Sequence, residues 1–383
     1  MREANDSMTT HVDVAVVGAG VIGLAVAAEV ARDDRIVVVL EKNDGYGLGT
    51  SSRNSQVIHA GIYYPADSLK GRTCVEGREM LYRLCSKHDL PHKRTGKIIV
   101  VTDQRRVAEL EELHDRGRSN GVDDLELLSR QEVKRLEPNV TALAGLFSPS
   151  TGVVDVFALM RHFVAKVRCR GGKVVYRSKV QAVERRNGGF TVHLDDRDSF
   201  SFDTKVLVNC AGLASHELAE AAGLDIDDCG YRIHMCKGEY FRLSSQKGRL
   251  IGRPVYPLPG SSGAGLGIHA TPTLDGRVLL GPSSRYVHDE DYSVDCGLGE
   301  LFYQSVVEFL PFVEAEDLEP EMAGIRPTLQ GPDDVFRDFV IRDEVERGLP
   351  SFVNLIGIES PGLTAAPAIA SFVGAIVTRA LRN

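Results

Sequence analysis

Three closely spaced glycines and a following acid are the first residues whose spacing points to chemistry. Gly18, Gly20 and Gly23 form the pattern G-x-G-x-x-G, and Glu41 stands eighteen positions after the last of them. In a strand–turn–helix unit, the first glycine makes a tight turn, the second lets the backbone approach a pyrophosphate and the third lets the helix close on the strand. The pyrophosphate lies at the positive end of the helix, and the acid accepts hydrogen bonds from ribose hydroxyls. These residues predict a dinucleotide site.

A polar segment at residues 49–64 indicates which dinucleotide is bound. A nicotinamide-binding fold would continue with a helix and regular βα units, whereas this segment is rich in Ser, Asn and Gly and has no periodicity. A loop this long inside a compact domain is usually functional. We expect Ser52, Arg53, Asn54 and Ser55 to face a flavin ring, so the sequence favours FAD over NAD.

Apolar runs and small residues indicate the elements that position these groups. Residues 12–17, apart from Asp13, and residues 36–40 are apolar, as expected for parallel strands covered on both faces. The small-residue stretch between them predicts a helix that extends through Ala31. The remaining pattern predicts strands at 97–102, 173–183, 190–194, 206–209 and 352–358, a strand-rich region at 230–281, and helices at 68–88, 104–120, 129–136, 153–170 and 300–311.

The uncharged stretch at 360–378 has the composition of either a membrane span or a buried helix. Pro361, Pro367 and many small residues favour a helix packed on a sheet. The sequence therefore predicts no transmembrane segment, and peripheral contact with a membrane stays compatible with it.

The distribution of strands predicts two domains. At 383 residues the chain exceeds the roughly 250–300 residues at which single cores stop growing. Dinucleotide-type strands occur near both ends and in the middle, with β-rich material between them. We therefore expect an α/β fold (α+β overall) in which an antiparallel-sheet substrate domain is inserted into a Rossmann-type FAD-binding domain. The FAD-binding domain would comprise 10–88, 150–229 and 323–383, and the substrate-binding domain 89–149 and 230–322.

Composition excludes several function classes. The net charge of −8 gives no general attraction to nucleic acid, so an acidic substrate needs a local basic cluster. The seven cysteines include no C-x-x-C pair, and Pro91 between His88 and His92 argues against a shared helical face, so no metal site is predicted. The residues before Asp13 carry both charge signs and no apolar run, which favours a cytoplasmic protein with reduced cysteines.

Several short segments beyond the glycine turn form an ordered set. They are SSRNSQVIHAGIYYP (51–65), SLK (68–70), CVEG (74–77), GKIIVVT (96–102), CAGL (210–213), KGEYF (237–241), YPLP (256–259), LGIHATP (266–272), LLGP (279–282), AGIRP (323–327), DFVI (338–341) and NLIGIESPGLT (354–364). This set resembles L-2-hydroxyglutarate dehydrogenases, which belong to the superfamily of D-amino-acid oxidase and glycine oxidase. The chain departs from that family at Gln56, where many members carry glycine, and in a short segment at 283–320.

The resemblance implies roles around a substrate acid. Arg326, in its G-x-R-P pattern, would clamp the α-carboxylate, since a planar guanidinium suits a bidentate contact that lysine cannot copy. Tyr256 would line the pocket beside it. His269 would take the hydroxyl proton, and His59 on the flavin loop is the alternative base. A histidine base predicts a limb in the pH profile near its ordinary value of about 6.5.

Further residues are implied in binding. Lys237 and Arg253 are candidates for the second carboxylate of a diacid. The other expected cofactor contacts are Val180, Ala211, Gly212, Arg326, Pro361, Gly362 and Leu363. A helix beginning near Gly362 would stabilise the negative charge of reduced flavin. No Cys or His follows Asp338, where some superfamily members attach the flavin, so we expect non-covalent FAD, with His59 as the remaining attachment point.

The implied activity is oxidation of the dicarboxylate L-2-hydroxyglutarate to 2-oxoglutarate, with hydride transfer to flavin N5. The alternatives are oxidation of another 2-hydroxy acid, FAD-dependent oxidation of a small amino acid of the glycine, sarcosine or D-amino-acid type, and a non-enzymatic FAD-binding scaffold. The acid-binding and basic residues beside the flavin loop argue against a scaffold. Oxygen, a quinone and another flavoprotein all stay open as electron acceptors.

Overall fold

The computed structural model describes residues 11–195, 200–259, 267–334 and 336–382. The first ten residues and Leu266 of the LGIHATP segment lie outside this part. The helices are α1 Val21–Val30, α2 Leu69–Lys87, α3 Val107–Ser119, α4 Arg130–Leu136, α5 Val156–Cys169, α6 Ser215–Ala221, α7 Ser245–Gly248, α8 Gly299–Val306 and α9 Gly362–Ala380.

The strands follow the same chain order. They are β1 His11–Val17, β2 Val37–Leu40, β3 Val57–Ile58, β4 His92–Lys93, β5 Lys97–Val101, β6 Glu126–Ser129, β7 Ala144–Ser148, β8 Gly152–Val154, β9 Lys173–Val175, β10 Val180–Arg186, β11 Gly189–Leu194, β12 Ser201–Asn209, β13 His234–Leu243, β14 Val255–Pro257, β15 His269–Pro272, β16 Val278–Gly281, β17 Arg285–Val287, β18 Leu318–Thr328, β19 Val340–Glu344 and β20 Leu349–Ile356.

The first sheet carries the glycine turn. Its parallel strands lie in the order β9–β2–β1–β12–β20, and β19 pairs antiparallel with β20. The register sets Val14 of β1 beside Val37 on one side and Val206 on the other. The first half of β12 also pairs with β11, which pairs with β10, so an antiparallel ribbon branches from the parallel core.

Both faces of this parallel core are covered, as its apolar strands predict. Helices α1, α5 and α9 pack on one face around Val14, Val208 and Val353. The ribbon and α6 pack on the other face around Ala15 and Phe352. Helix α1 is apolar on all sides and almost wholly buried, which is the pattern of an internal helix.

The second sheet is largely antiparallel. Its strands lie in the order β17–β13–β16–β15–β14–β5–β7–β6, and β18 pairs along the whole length of β13. A small sheet of β3, β8 and β4 is formed beside the long polar loop. A parallel sheet between helices and a second antiparallel sheet confirm the predicted α/β (α+β) architecture.

Several predicted elements are wrong in their bounds. The helix predicted at 300–311 ends at Val306, and the strand predicted at 206–209 begins at Ser201. Two further differences have a clear physical reason. The helix predicted at 153–170 begins at Val156, because the Asp155 carboxylate caps it by accepting the N–H groups of Phe157 and Ala158, both at 2.9 Å. The preceding residues form β8. The strand predicted at 173–183 is broken into β9 and β10, because Arg177 has a φ of 54°, a left-handed value that no strand continues through.

Helix α9 has the length and apolar composition to cross a membrane. In the fold it packs against α1 and α2, with Ala365, Ile369, Val373 and Val377 in the core, as predicted for a packed helix. The predicted division into two domains stays a prediction, and its boundary at residue 323 falls inside β18, which belongs to the second sheet.

Candidate active site

The glycine turn has the close contacts that its pattern predicts. Gly18 has a φ of 105°, and a Cβ there would lie 2.3 Å from the carbonyl oxygen of Cys210. A Cβ at Gly23 would lie 1.9 Å from the Gly18 carbonyl oxygen. Only glycine fits at either position, because backbone atoms of the turn and of Cys210, directly after β12, occupy the space. Gly20 stands at the N-terminus of α1 and lines a large cavity.

Glu41 fixes the edge of this cavity at the end of β2. Its Oε2 accepts the N–H of Ala19 at 2.8 Å, and its Oε1 accepts the backbone and side-chain N–H groups of Asn43 at 3.0 and 2.8 Å. The carboxylate is buried and still lines the cavity. Its predicted contact with ribose hydroxyls is compatible with this position, since a carboxylate can accept about four hydrogen bonds.

The polar loop is tied to both sheets. Ser51 Oγ accepts the N–H of Val21 at 2.9 Å, which joins the loop to the start of α1. Thr50 Oγ1 donates to the carbonyl oxygen of Ile325 on β18 at 2.8 Å. A Cβ at Gly324 would lie 2.2 Å from the carbonyl oxygen of Arg53, so the loop lies directly against β18. The loop therefore bridges the two sheets above the cavity.

The structure shows how glutamine is accommodated at position 56, where many members of the family carry glycine. Its φ is 56°, in the left-handed region where glycine is strain-free and other residues are disfavoured. Its Oε1 accepts the N–H of Val156 at 3.3 Å, and its own N–H is donated to Asn54 Oδ1 at 2.9 Å. These two hydrogen bonds hold a non-glycine residue in a conformation that suits glycine.

The start of α9 closes another side of the cavity. Pro361, Gly362 and Leu363 line it at the N-terminus of this helix. Thr364 Oγ1 accepts the backbone N–H of His59 at 2.9 Å and donates to the carbonyl oxygen of Val57. The helix start and the polar loop are therefore held together, and the positive end of α9 points towards the cavity.

His269 on β15 presents a free ring nitrogen. Its Nδ1 lies 3.0 Å from the carbonyl oxygen of Gly267, and because a carbonyl only accepts, Nδ1 carries the proton. Nε2 then holds a lone pair, and within the described part of the chain this buried atom has no hydrogen-bond partner. Burial lowers the pKa of His269 to about 3. The predicted pH limb near 6.5 is therefore wrong for this histidine in the free protein.

Tyr256 on β14 packs directly on that imidazole. The two rings are stacked, with centroids 3.7 Å apart and planes 15° apart. The Tyr256 hydroxyl is buried and unpartnered among the described residues. Burial raises its pKa, so the phenol keeps its proton and can donate a hydrogen bond.

Arg326 on β18 lines the same cavity with unused donors. Its Nη2 donates to the Ser283 carbonyl oxygen at 3.3 Å and to Ser284 Oγ at 3.1 Å. Its buried Nε has no partner, and none of the described carboxylates forms an ion pair with the guanidinium. A guanidinium without a carboxylate in a cavity is suited to bind the carboxylate of a ligand.

His59 lies in the cavity as well. Burial lowers the pKa of its imidazole to about 3, and the charge of Lys97 contributes in the same direction. The choice between His269 and His59 as the base stays a proposal.

The sequence predicted no role for two lysines near the cavity, Lys97 and Lys70. Lys97, 1% exposed, donates from Nζ to the Tyr63 hydroxyl at 3.3 Å. Lys70 lines the cavity and pairs with Glu359 at 2.9 Å. The available signal was a lysine at the head of the apolar run IIVV, where burial of a charge is costly.

Four expected residues lie elsewhere. Lys237 pairs with Asp291 at 2.8 Å and Glu239 at 3.7 Å, and Arg253 pairs with Glu137 at 3.0 Å. Both cations are therefore already neutralised, and neither lines the cavity. They are therefore unsuited to a second substrate carboxylate. Val180 and Ser52 are also outside the lining, whereas Arg53, Asn54, Ser55, Ala211 and Gly212 belong to it.

The cavity has the size and the donors for a dinucleotide and a small acid. Its volume is about 1280 Å³, above the roughly 300–1,000 Å³ typical of drug-sized ligands. It runs without a break from Gly20 and Glu41 to His269 and Arg326. Buried atoms left without a partner on its wall are Arg53 Nε, Tyr256 OH, His269 Nε2 and Arg326 Nε. The described residues contain no cluster of three metal-ligating side chains.

Comparison with known proteins agrees with this geometry. The family model described as "FAD dependent oxidoreductase" matches residues 13–375. The chain belongs to this family of FAD-dependent oxidoreductases, which confirms FAD as the cofactor and the Rossmann-type fold around the glycine turn.

Comparison with individual relatives identifies the family more specifically. L-2-hydroxyglutarate dehydrogenase of Arabidopsis thaliana, named as mitochondrial, is 36% identical over 95% of this chain and 83% of its own length. The enzyme of that name from Escherichia coli K12 is 28% identical over 94% of this chain and 92% of its own length. The FAD-bound structure of L-α-glycerophosphate oxidase from Mycoplasma pneumoniae matches with a TM-score of 0.85 and 26% identity, covering 98% of this chain and 95% of that one. Within the oxidoreductases, the chain belongs to the L-2-hydroxyglutarate dehydrogenase family.

Proposed function

We propose that this protein oxidises L-2-hydroxyglutarate to 2-oxoglutarate. The observation that carries the proposal is that one cavity holds the Nε2 of His269 and the guanidinium of Arg326, the first without a hydrogen-bond partner and the second without an ion pair among the residues that the structure describes. A hydroxy acid needs both a base for its hydroxyl proton and a cation for its carboxylate. The similarity to named L-2-hydroxyglutarate dehydrogenases supports this choice among hydroxy acids.

The cofactor is held by the first sheet and the polar loop. The turn at Gly18, Gly20 and Gly23 and the carboxylate of Glu41 would hold its ADP half. The loop at 53–55 and the start of α9 would hold its flavin half, and Val180, Ala211 and Gly212 are retained as further proposed contacts. Bound FAD supplies the acceptor for the hydride that leaves the α-carbon. We propose non-covalent attachment.

Arg326 and Tyr256 would orient the substrate. The unused donors of the Arg326 guanidinium match the two oxygens of the α-carboxylate. The Tyr256 hydroxyl, which keeps its proton, adds a neutral donor. A carboxylate fixed at one point and a base fixed at another leave the α-carbon one orientation, which is how binding geometry converts into rate.

His269 would accept the hydroxyl proton at Nε2. Its Nδ1–H stays bonded to the Gly267 carbonyl oxygen, so the ring keeps its orientation while Nε2 gains the proton. Burial lowers its pKa in the free protein, and the charges of Lys97 and Arg326 add to this effect. A substrate that brings carboxylates offsets these charges and raises the basicity of Nε2 when it is needed.

Anaerobic mixing tests the proposal. Purified protein should be yellow, and adding L-2-hydroxyglutarate without oxygen should bleach the flavin absorbance and yield one 2-oxoglutarate per flavin. Glycine, sarcosine and D-amino acids should leave the spectrum unchanged. Bleaching by an amino acid and not by any 2-hydroxy acid would assign the protein to amine oxidation instead.

The electron acceptor and the site of action extend the proposal. We propose a cytoplasmic enzyme, peripherally associated with a membrane where its acceptor is a quinone, and otherwise reoxidised by oxygen or another flavoprotein. The rate of reoxidation of the bleached protein by oxygen, a soluble quinone and a flavoprotein acceptor would rank the three.

A further inference from the structure

Lys97 is a buried charge without a counter-ion. It begins β5, where its backbone pairs with Ser148 of β7, and its side chain is 1% exposed. Within the described residues, its Nζ forms no ion pair and donates a single hydrogen bond, to the Tyr63 hydroxyl at 3.3 Å. The ammonium also lies 4.6 Å from the ring centroid of Tyr63 and 4.5 Å from that of Tyr256. Two aromatic faces stabilise the cation but do not neutralise it.

The hydrogen bond fixes the direction of the Tyr63 hydroxyl. An ammonium can only donate, so the Tyr63 oxygen accepts from Lys97 and its own proton points elsewhere. Tyr63 lines the cavity and Lys97 does not. Burial raises the pKa of Tyr63 well above 10, so the phenol stays protonated. We therefore expect Tyr63 to offer a ligand in the cavity an O–H donor that is polarised by the cation behind it.

This donor is near the proposed reaction centre. Lys97 lies close to the Tyr256 ring, which stacks on the His269 imidazole. The charges of both Lys97 and Arg326 act on His269. Two cationic groups thus lie around one histidine, Arg326 on the cavity wall and Lys97 behind it. None of the described carboxylates forms an ion pair with either of them, and a monocarboxylate needs only one cation.

We propose that the Tyr63 hydroxyl, polarised by Lys97, binds the second carboxylate of the substrate and so selects dicarboxylates over monocarboxylates. This inference rests on the proposed oxidation of a hydroxy acid and adds the basis of its selectivity. Tyr63 is the contacting group, and Lys97 is a positioning residue that acts through it. The pair takes the role for which Lys237 and Arg253 are unsuited.

The ionisation of Lys97 couples this site to pH. Burial lowers its pKa to about 7. The groups that face it are Tyr63 and His59 from the polar loop, Tyr256 from β14, His269 from β15 and Cys74 from α2. All are neutral at pH 7, because burial raises the pKa of both phenols and of the thiol and lowers that of both imidazoles. An incoming carboxylate favours the ammonium, so a diacid should bind best below about pH 7 and more weakly above it.

Matched substrates test the selectivity. L-2-hydroxypentanoate has the carbon chain of L-2-hydroxyglutarate with a methyl group in place of the second carboxylate. The intact protein should show a much higher kcat/KM for the diacid, carried mainly by KM. Tyr63→Phe keeps the ring beneath Lys97 and removes the hydroxyl. It should reduce kcat/KM for the diacid roughly 10–150-fold, as expected for one charge-assisted hydrogen bond, and leave the monoacid almost unchanged.

Lys97→Met provides the second variant. It should show the same selective loss, and the double variant should lose little more than either alone, because the two residues act as a unit. The rise of KM for the diacid above about pH 7 should disappear in Lys97→Met. Equal losses for diacid and monoacid, or an unchanged pH profile, would reduce the pair to a structural role and overturn the inference.

Binding without turnover separates this inference from the proposed function. Glutarate and pentanoate carry no hydroxyl and cannot be oxidised, and their binding can be read from the perturbation of the flavin spectrum. Glutarate should bind more tightly than pentanoate, and Tyr63→Phe should abolish the difference. A tyrosine-dependent preference for glutarate in a protein that oxidises no hydroxy acid would contradict the function and keep the site. Equal binding of both acids would reject the site whatever the protein oxidises.

Discussion

Two buried lysines of the second sheet have opposite surroundings. Lys237 on β13, 2% exposed, lies between the carboxylates of Asp291 and Glu239. Lys97 on β5, equally buried, meets a phenol and two aromatic faces, and it pairs with no carboxylate in the described part of the chain. The first arrangement is complete within the fold. The second leaves a buried positive charge that none of the described carboxylates neutralises.

The same contrast separates two arginines. Arg253 is paired with Glu137, whereas Arg326, on the cavity wall, keeps a buried Nε that has no partner among the described residues. A buried charge without a counter-ion costs stability, so its retention indicates a partner that arrives from outside. The paired region, Lys237 and Arg253, therefore serves the fold. We propose that the unpaired region, Lys97, Arg326 and His269, serves a ligand.

The largest expected effect comes from the unpaired region. His269→Ala should slow anaerobic flavin reduction about 10²–10⁴-fold, because the hydroxyl proton loses its acceptor. Since the pKa of His269 is about 3, the pH profile of the intact protein should show no limb from this group near 6.5.

Two further histidine variants serve as controls for that result. His162 on α5 also has a buried ring Nε2 that finds no partner in the described chain, but it lies outside the cavity, so His162→Ala should leave the reduction rate unchanged. His59→Ala should mainly weaken flavin retention. A full rate loss in His59→Ala together with a normal rate in His269→Ala would transfer the role of base to His59.

The two lysines should respond to methionine with opposite signs. Lys237→Met should lower the free energy of unfolding by about 3–5 kcal/mol, because it leaves the buried Glu239 carboxylate unpaired. Lys97→Met should raise it by roughly 1–4 kcal/mol, because an uncompensated buried charge is removed.

The pH dependence sharpens this prediction. The pKa of Lys97 falls from 10.5 in the unfolded chain to about 7 in the fold, so the unfolded chain binds the proton more strongly. The stabilisation in Lys97→Met should be complete below about pH 7 and decline as the pH rises towards 10.5. Denaturant unfolding of Lys237→Met, Lys97→Met and the intact protein at pH 6.5 and 9.5 would show whether each substitution raises or lowers the free energy of unfolding. Destabilisation by Lys97→Met at both pH values would show that this lysine is needed for folding.

The sequence predicts those parts of the molecule that depend on local pattern. The turn at Gly18, the apolar parallel strands and helix α9 follow from spacing and periodicity, and the structure confirms each of them. Helix α5 and the strand break at Arg177 differ because an Asp155 cap and one left-handed residue override the apolar pattern.

The predictions for the site divide in the same way, into those that depend on local segments and those that depend on distant partners. Arg326, Tyr256 and His269 lie in recognisable segments, and they do line one cavity. Lys237 and Arg253 were plausible only as cations, and their pairing depends on carboxylates as far away in sequence as Asp291 and Glu137. No role was predicted for Lys97, because the lack of a counter-ion among the described residues becomes apparent only in the folded structure.

The handedness of the reaction tests the central claim most directly. A carboxylate fixed by Arg326 and a hydroxyl directed at His269 leave a single α-hydrogen direction available for transfer. Anaerobic mixing with the separate enantiomers of 2-hydroxyglutarate should bleach the flavin with the L form and leave it oxidised with the D form. Equal bleaching by both enantiomers would contradict the proposed arrangement of carboxylate clamp and base.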